Sequence, residues 1–469
     1  MRTGARADPP EADASALEAR IRQEVTPRPE TLRRLADVRE RLVERARSEA
    51  AALGVPLRRG IVAGSAARET FLEDRVDVDL FLLFPPDLPR EALERDGLAL
   101  AARIVESPET RYAEHPYLRG KFGGFTIDAV PGYEVTDPAH PISAVDRTPF
   151  HQAYLAARET PALVAEIRLT KRFLRAIGVY GSEAKTQGLS GYLVELLVLQ
   201  YGGFRGLLRA IRDWRPPVRV LVNPGSQPRT PPGIPLILDD PVDPHRNVAS
   251  ALSVQNLALL QLAAQEYLQR PTQAFFTLHP PTHLSLRDAR QRLRERATHV
   301  IGLQLRRPPL VDDIVYPQLY KAERAISEEA ERMGFRPIGT SAAAGSESLV
   351  ILLEVEHGIL PAVRPHRGPP VGLDRVGSFL EKWEDPSAPR LQGPYVRADG
   401  SLGVDSRRAL RGVEELLSEA LPRLPLGKDL LPLVGEQSRF LPLESLPEAE
   451  ELPLALGELL GKKLPWREG

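Results

Sequence analysis

The stretch "VDVDLFLLF", residues 76–84, is apolar except for Asp77 and Asp79. Strand side chains alternate between two faces, so the two acids share one face, with Phe81 and Leu83 beyond them. Val76, Val78, Leu80 and Leu82 line the other. At about 3.3 Å per residue the acids stand about 7 Å apart and can lean together. Two such anions repel unless a cation lies between them. The pattern predicts a sheet with one packed face and one that gathers a cation. "FTIDAV", residues 125–130, reads as a second strand with an isolated acid, which makes Asp128 the candidate third ligand. Paired metal ions in phosphoryl transfer sit about 3.5–4 Å apart, bracketed by such oxygens, and magnesium prefers carboxylate and phosphate oxygen. Asp77, Asp79 and Asp128 are therefore the candidate catalytic and metal residues.

A D-x-D pair alone is as readily an exposed edge-strand feature as a metal site. Its context sharpens it. "GIVAGS" reads as a short strand entering a turn at Gly64-Ser65, where backbone N–H groups and a hydroxyl can cradle a triphosphate. Arg68 lies close by in sequence.

The chain has 469 residues, too many for one core, so two to four domains are expected. With 62 Lys+Arg against 63 Asp+Glu and a net charge of −1, bulk charge predicts no nucleic-acid partner, and any basic surface must be local. The absence of cysteine excludes disulfides, zinc–thiolate sites and Cys nucleophiles. The first twenty residues hold no apolar signal core, and no later run is long enough to span a bilayer. The expectation is a soluble cytoplasmic protein with no membrane partner.

Residues 1–15 read as a mobile tail. Leu32, Leu35, Val38 and Leu42 form one stripe at helical spacing between Pro29 and Gly54, and predict a helix there. The first 150 residues thus read as α/β. From Pro161 the pattern turns helical, interrupted by a Pro-rich insert over 216–244 with a strand in "IPLILDD". After about residue 275, "THVIGLQL" and "SLVILLEV" read as strands, with helices in "YPQLYKAERAISEEAERMG" and "SRRALRGVEELLSEAL". In "SLRDARQRLRER", Arg287, Arg290 and Arg294 form a helical stripe that reads as a solvated charged face, or as a contact to RNA phosphates.

Longer stretches carry a family likeness. "YAEHPYLRGKFGGFTIDAVPGY", "SAVDRTPFHQAYL", "RLTKRFLRAIGVYGSEAKTQGLSGYLVELL" and "DPVDPHRNVASALS" occur in family order. With the strand, Gly-Ser and D-x-D unit they resemble the archaeal-type (class I) CCA-adding tRNA nucleotidyltransferases, of the DNA polymerase β-like superfamily. The resemblance covers most of the chain and weakens toward the C-terminus. It implies an α+β multidomain protein: a polymerase β-like nucleotidyltransferase palm over 1–150, a helical central domain completing the nucleotide site over 151–275, and an α/β RNA-binding body and tail over 276–370 and 371–469.

The resemblance implies template-independent addition of CCA to the tRNA 3′ end from CTP and ATP, by a two-metal magnesium mechanism. The metal carboxylates fall on Asp77, Asp79 and Asp128; Asp77 stands where many members have Glu. Triphosphate positions fall on Ser65, Arg68, Lys171 and Tyr180, and nucleotide-side positions on Thr148 and His151. His115 would line the site without binding metal, since hard cations prefer oxygen. Arg246 would read the incoming base with paired donors. By themselves Lys171 reads as a solvated helix residue, Tyr180 as a cap contact, and His115 and His151 as hydrogen-bonded structural groups. The expected tRNA surface is the acceptor stem and T arm; the oligomeric state is open, a homodimer included. The competing readings are another polymerase β-like transferase of poly(A)- or oligoadenylate type, and a non-catalytic RNA-binding protein.

Overall fold

The computed structural model describes residues 11–74, 76–112 and 116–467. They fall into two compact units, one of residues 1–279 with 464–469, the other of 280–463.

In the first unit, α1 (Glu11–Glu24) is followed by α2 (Pro29–Leu53), β1 (Arg59–Ala63), α3 (Gly64–Arg68), β2 (Asp77–Phe84), α4 (Arg90–Ile104), β3 (Glu106–Tyr112), β4 (Pro116–Phe122) and β5 (Phe125–Tyr133). The strands form one sheet in the order β1-β2-β5-β4-β3, with β2 and β5 parallel and the other pairs antiparallel. The apolar stripe of α2 covers one face: Leu35, Val38 and Leu42 share a core with Val78, Leu80, Leu82, Ile127 and Ala129. Gly54 ends that helix in the left-handed conformation, φ 67°, where a side chain would be strained. The acids of β2 are thereby turned to the opposite face.

The chain continues through α5 (Thr148–Ala156), α6 (Pro161–Ala176), α7 (Gly191–Tyr201), α8 (Phe204–Asp213), β6 (Val218–Val220), β7 (Leu236–Leu238) and α9 (Val254–Gln269). A second core includes Phe173, Phe204, Tyr267, Phe275 and Phe276, with Trp466 stacked on Phe275. The Pro-rich insert contains the expected strand as β7, paired in parallel with β6. The N-terminal expectation needs correction. Residues 11–15 begin α1, which contributes Ile21 to the helical core, joined by Val25 just after it, and the buried Glu18 that accepts from Arg205 and Tyr267. Its weak amphipathic pattern hid it.

The second unit holds α10 (Leu286–Arg296), β8 (His299–Arg306), α11 (Asp312–Met333), β9 (Pro337–Ala344), β10 (Ser348–Val355), β11 (Val363–Pro370), α12 (Val376–Glu384), β12 (Arg390–Val396), β13 (Ser401–Arg407), α13 (Val413–Ala420), β14 (Leu441–Pro442) and α14 (Leu452–Leu460). Its sheets run β14-β8-β10-β9 and β11-β13-β12. The predicted helix from Ser406 starts later. Ser406 and Arg407 end β13, and the helix begins at Val413, after Gly412. Pairing of β13 on both edges overrides local helix propensity there. Among the described residues no helix is long and apolar enough to cross a membrane.

Candidate active site

Strand register assembles the acids. Asp79 of β2 pairs with Ala63 of β1 on one side and with Asp128 of β5 on the other, and Asp128 pairs with Arg119 of β4. Partners across a ladder share a face, so Asp79, Asp128 and Arg119 form one row across the sheet, with Asp77 on the same face of β2. Both Asp128 oxygens accept from Arg119, Nε at 2.7 Å and Nη2 at 2.6 Å. Burial, with the charges of Asp128 and Asp77 adding to it, pushes the Asp79 carboxyl up to about 7. Arg119 and Arg68 pull the other way without offsetting this.

Among the described residues, no three carboxylate or imidazole groups form a ready-made metal cage. The residues nonetheless fit a hard divalent cation: the donors are oxygens, they share one face of paired strands, and a guanidinium already stands on Asp128 as a tethered cation. Gly64 supplies the close approach. Its φ is +70°, and a Cβ there would meet Asp79 Oδ2 at 2.1 Å. Only glycine lets the turn press against that carboxylate. Ser65 follows directly in the first turn of α3.

Two expected phosphate contacts take another position. Lys171 is 2% exposed and donates from Nζ to Glu195 Oε1 at 2.8 Å, Thr70 O at 3.0 Å and Thr70 Oγ1 at 3.1 Å. An ammonium has three donors, so all are engaged. Arg68 donates to Glu195 Oε2 at 2.5 Å and to Gln152, with Glu159 at 3.4 Å. Burial alone would raise Glu195, but Lys171 and Arg68 hold it down at about 2. Burial and the Glu195 charge instead push Glu159 up to about 7. Glu195 was missed in the sequence because "YLVELLVLQ" reads there as an apolar helix with one stray acid. Tyr180 Oη and Lys171 Nζ both lie beside Gly191 at the start of α7, where an added Cβ would stand 3.1 Å from the first and 3.8 Å from the second.

A second buried acid gathers the nucleotide-side residues. Asp240 is fully buried. Its Oδ2 accepts from Arg246 Nη1 at 2.7 Å and meets His151 Nε2 at 2.8 Å; its Oδ1 accepts from the Tyr192 hydroxyl at 3.0 Å and the Val242 amide at 3.1 Å. Burial opposes ionisation, yet His151, the Val242 amide and Arg246 hold Asp240 at about 2. The His151 ring lies against Tyr192, centroids 4.1 Å apart. Arg246 stays 39% exposed beyond its anchor. The acid was visible inside "LDDPVDPHRNVA", but only the arginine was read. Thr148 opens α5, the helix that also carries His151. His115 lies outside the described residues. Arg287, Arg290 and Arg294 are exposed on α10, in the second unit.

Family models match in chain order: a nucleotidyltransferase domain over residues 44–151, the tRNA nucleotidyltransferase second domain over 165–277, and the CCA-adding enzyme C-terminal domain over 296–439. The CCA-adding enzyme of Halobacterium salinarum is 40% identical over 417 residues, 88% of this chain and 91% of its own. That of Methanoregula boonei is 38% identical over 383 residues, 80% and 82%. That of Methanosarcina barkeri is 34% identical over 425 residues, 90% and 92%. Among solved structures, the Cid1 poly(U) polymerase aligns with 57% of this chain and 99% of its own, at 14% identity and a TM-score of 0.44. That level of likeness carries no argument about activity.

Proposed function

The chain belongs to the CCA-adding enzymes, the tRNA nucleotidyltransferases, and we infer that it adds C, C and A to the 3′ end of tRNA from CTP and ATP, releasing pyrophosphate. The observation that carries this reading is the row of carboxylates beside a glycine–serine turn, in a chain related to CCA-adding enzymes along most of its length.

Nucleotidyltransferases generally use divalent metal ions. Bound by Asp77, Asp79 and Asp128, such ions, magnesium in this reading, would lower the pKa of the RNA 3′-hydroxyl and neutralise charge on the triphosphate. The chain's own residues do the rest. Ser65 follows Gly64, whose turn presses against Asp79, and would donate to the triphosphate. Tyr180 would contact its tail. Lys171 and Arg68, neutralising Glu195 behind that turn, hold α3 against α6 and α7 instead of donating outward. Arg246, anchored by Asp240, would offer its remaining donors to the acceptors on C and A. Thr148 and His151 would line the nucleotide side.

In this reading residues 1–150 are the palm and 151–275 complete the nucleotide site. The body and tail, 276–370 and 371–469, would hold the acceptor stem and T arm through backbone and 2′-hydroxyl contacts. Nothing in it requires a homodimer. The test is incubation of tRNA lacking CCA with each labelled nucleotide, singly and together, followed by product sequencing. CTP alone should add two residues, and ATP should add one only after them. Long A tails from ATP alone would turn the reading to a poly(A)-type transferase.

A further inference from the structure

The proposed chemistry gives the Arg119–Asp128 pair of the palm no task. Its geometry is built in, not accidental. β4 and β5 join through Gly123-Gly124, both at positive φ, +59° and +84°. A two-residue turn of this kind sets the hairpin register, here Phe122 opposite Phe125 and, three residues back on each strand, Arg119 opposite Asp128. The guanidinium then meets the carboxylate side-on, with two donors at 2.7 and 2.6 Å, a fork that occupies the forward lone pairs of both oxygens. Those oxygens are the ones Asp128 would offer to a cation. Asp128 is 8% exposed, whereas the Arg119 side chain is 33% exposed and so has room to leave.

We propose that Arg119 is a tethered counter-ion of the carboxylate row: it holds Asp128 aligned while no divalent cation is bound, and must give up that carboxylate when one binds. This rests on the reading of Asp77, Asp79 and Asp128 as metal ligands. A fixed positive charge and a filled coordination edge both act against an entering cation. Arg119 therefore raises the metal concentration at which the site fills, and makes Asp128 the last of the three ligands to engage. Arg119 is a positioning residue in this scheme, since it acts through Asp128.

The test is direct Mn2+ binding to the full chain without nucleotide or RNA, followed by electron paramagnetic resonance of the free ion. Arg119→Ala should bind Mn2+ about tenfold more tightly than the wild type. Arg119→Lys keeps the charge but loses the fork, and should fall between them. In an Asp128→Asn background the Arg119→Ala change should lose most of its effect, because the carboxylate being contested is gone. A purely structural role in the hairpin predicts unchanged or weaker Mn2+ binding in both Arg119 variants, and that result overturns the proposal. Should Arg119→Ala not fold, Arg119→Lys alone decides it: tighter binding supports the proposal, equal or weaker binding sinks it. If none of the proteins, wild type included, binds Mn2+, the metal-ligand reading itself fails; if wild type and both Arg119 variants bind alike while Asp128→Asn binds more weakly, only the role of Arg119 does.

Discussion

Two charged clusters in the first unit have similar ingredients and opposite character. In the palm row, Asp79 lies among the charges of Asp128 and Asp77 and is pushed up to about 7, while Arg119 is forked on Asp128. Around Glu195, the buried carboxylate faces both Lys171 and Arg68 and is held at about 2. In the proposed reading the first cluster is completed by a cation from outside. The second pairs its carboxylate with two cations of its own, with every Lys171 donor engaged. A deficit of counter-charge marks where a protein receives a cation; a balanced, buried pair marks where it holds itself together.

The contrast predicts opposite failures. Asp79→Asn should lower CCA addition by on the order of a thousandfold or more. Its melting temperature in chelator should be no lower than wild type, since a poorly compensated carboxylate is removed. A variant that loses its fold along with its activity would place Asp79 in the structural class. Glu195→Gln should behave the other way. It leaves the Lys171 ammonium buried without a counter-ion, which costs about 3–5 kcal/mol, read as a lower urea midpoint at unchanged slope. Unaltered stability would mean that the pair is not what holds α3 to α7.

The Asp240 group lies between these extremes: buried and balanced, yet with Arg246 reaching outward. A bidentate base contact is worth about 1–3 kcal/mol of discrimination. Arg246→Ala should thus reduce kcat/KM for CTP and ATP by roughly ten- to a hundredfold. Asp240→Asn should lose part of the same factor, and the double variant should fall short of the product of the two. UTP and GTP should lose much less. A uniform loss across all four nucleotides would make the group structural, like Glu195.

The smallest effect is protonic. A carboxyl whose folded pKa is raised contributes stability that is present in acid and lost as pH rises through the folded value. For Asp79 the window runs from the ordinary carboxylate range, about 4, to about 7. Metal-free wild type should lose stability relative to Asp79→Asn across that window, and cation binding near pH 6 should release up to one proton. Parallel pH profiles for the two proteins would remove the charge deficit on which the comparison stands.

Local sequence carried the catalytic pattern a long way. Period-2 alternation put Asp77 and Asp79 on one face, and the α2 stripe decided which face would be covered. Gly123-Gly124 could even have revealed the Arg119–Asp128 pair, because a two-residue hairpin sets its register by counting outward from the turn. The palm acids were legible because they lie in or beside regular elements whose periodicity is local.

What the tertiary structure alone decided is the company each charge keeps. Asp79 meets Asp128 through a parallel pairing of strands separated by α4, β3 and β4, and no turn transmits that register. Lys171 reads as a surface lysine until α6 packs beside α7 and delivers Glu195, 24 residues on, and Thr70, 101 residues back. Asp240 gathers His151 from 89 residues away. Spacing along the chain determines which face a side chain takes. Whether a charge on that face is solvated, paired or left in deficit depends on groups distant in sequence, because only packing removes the water that would otherwise neutralise it.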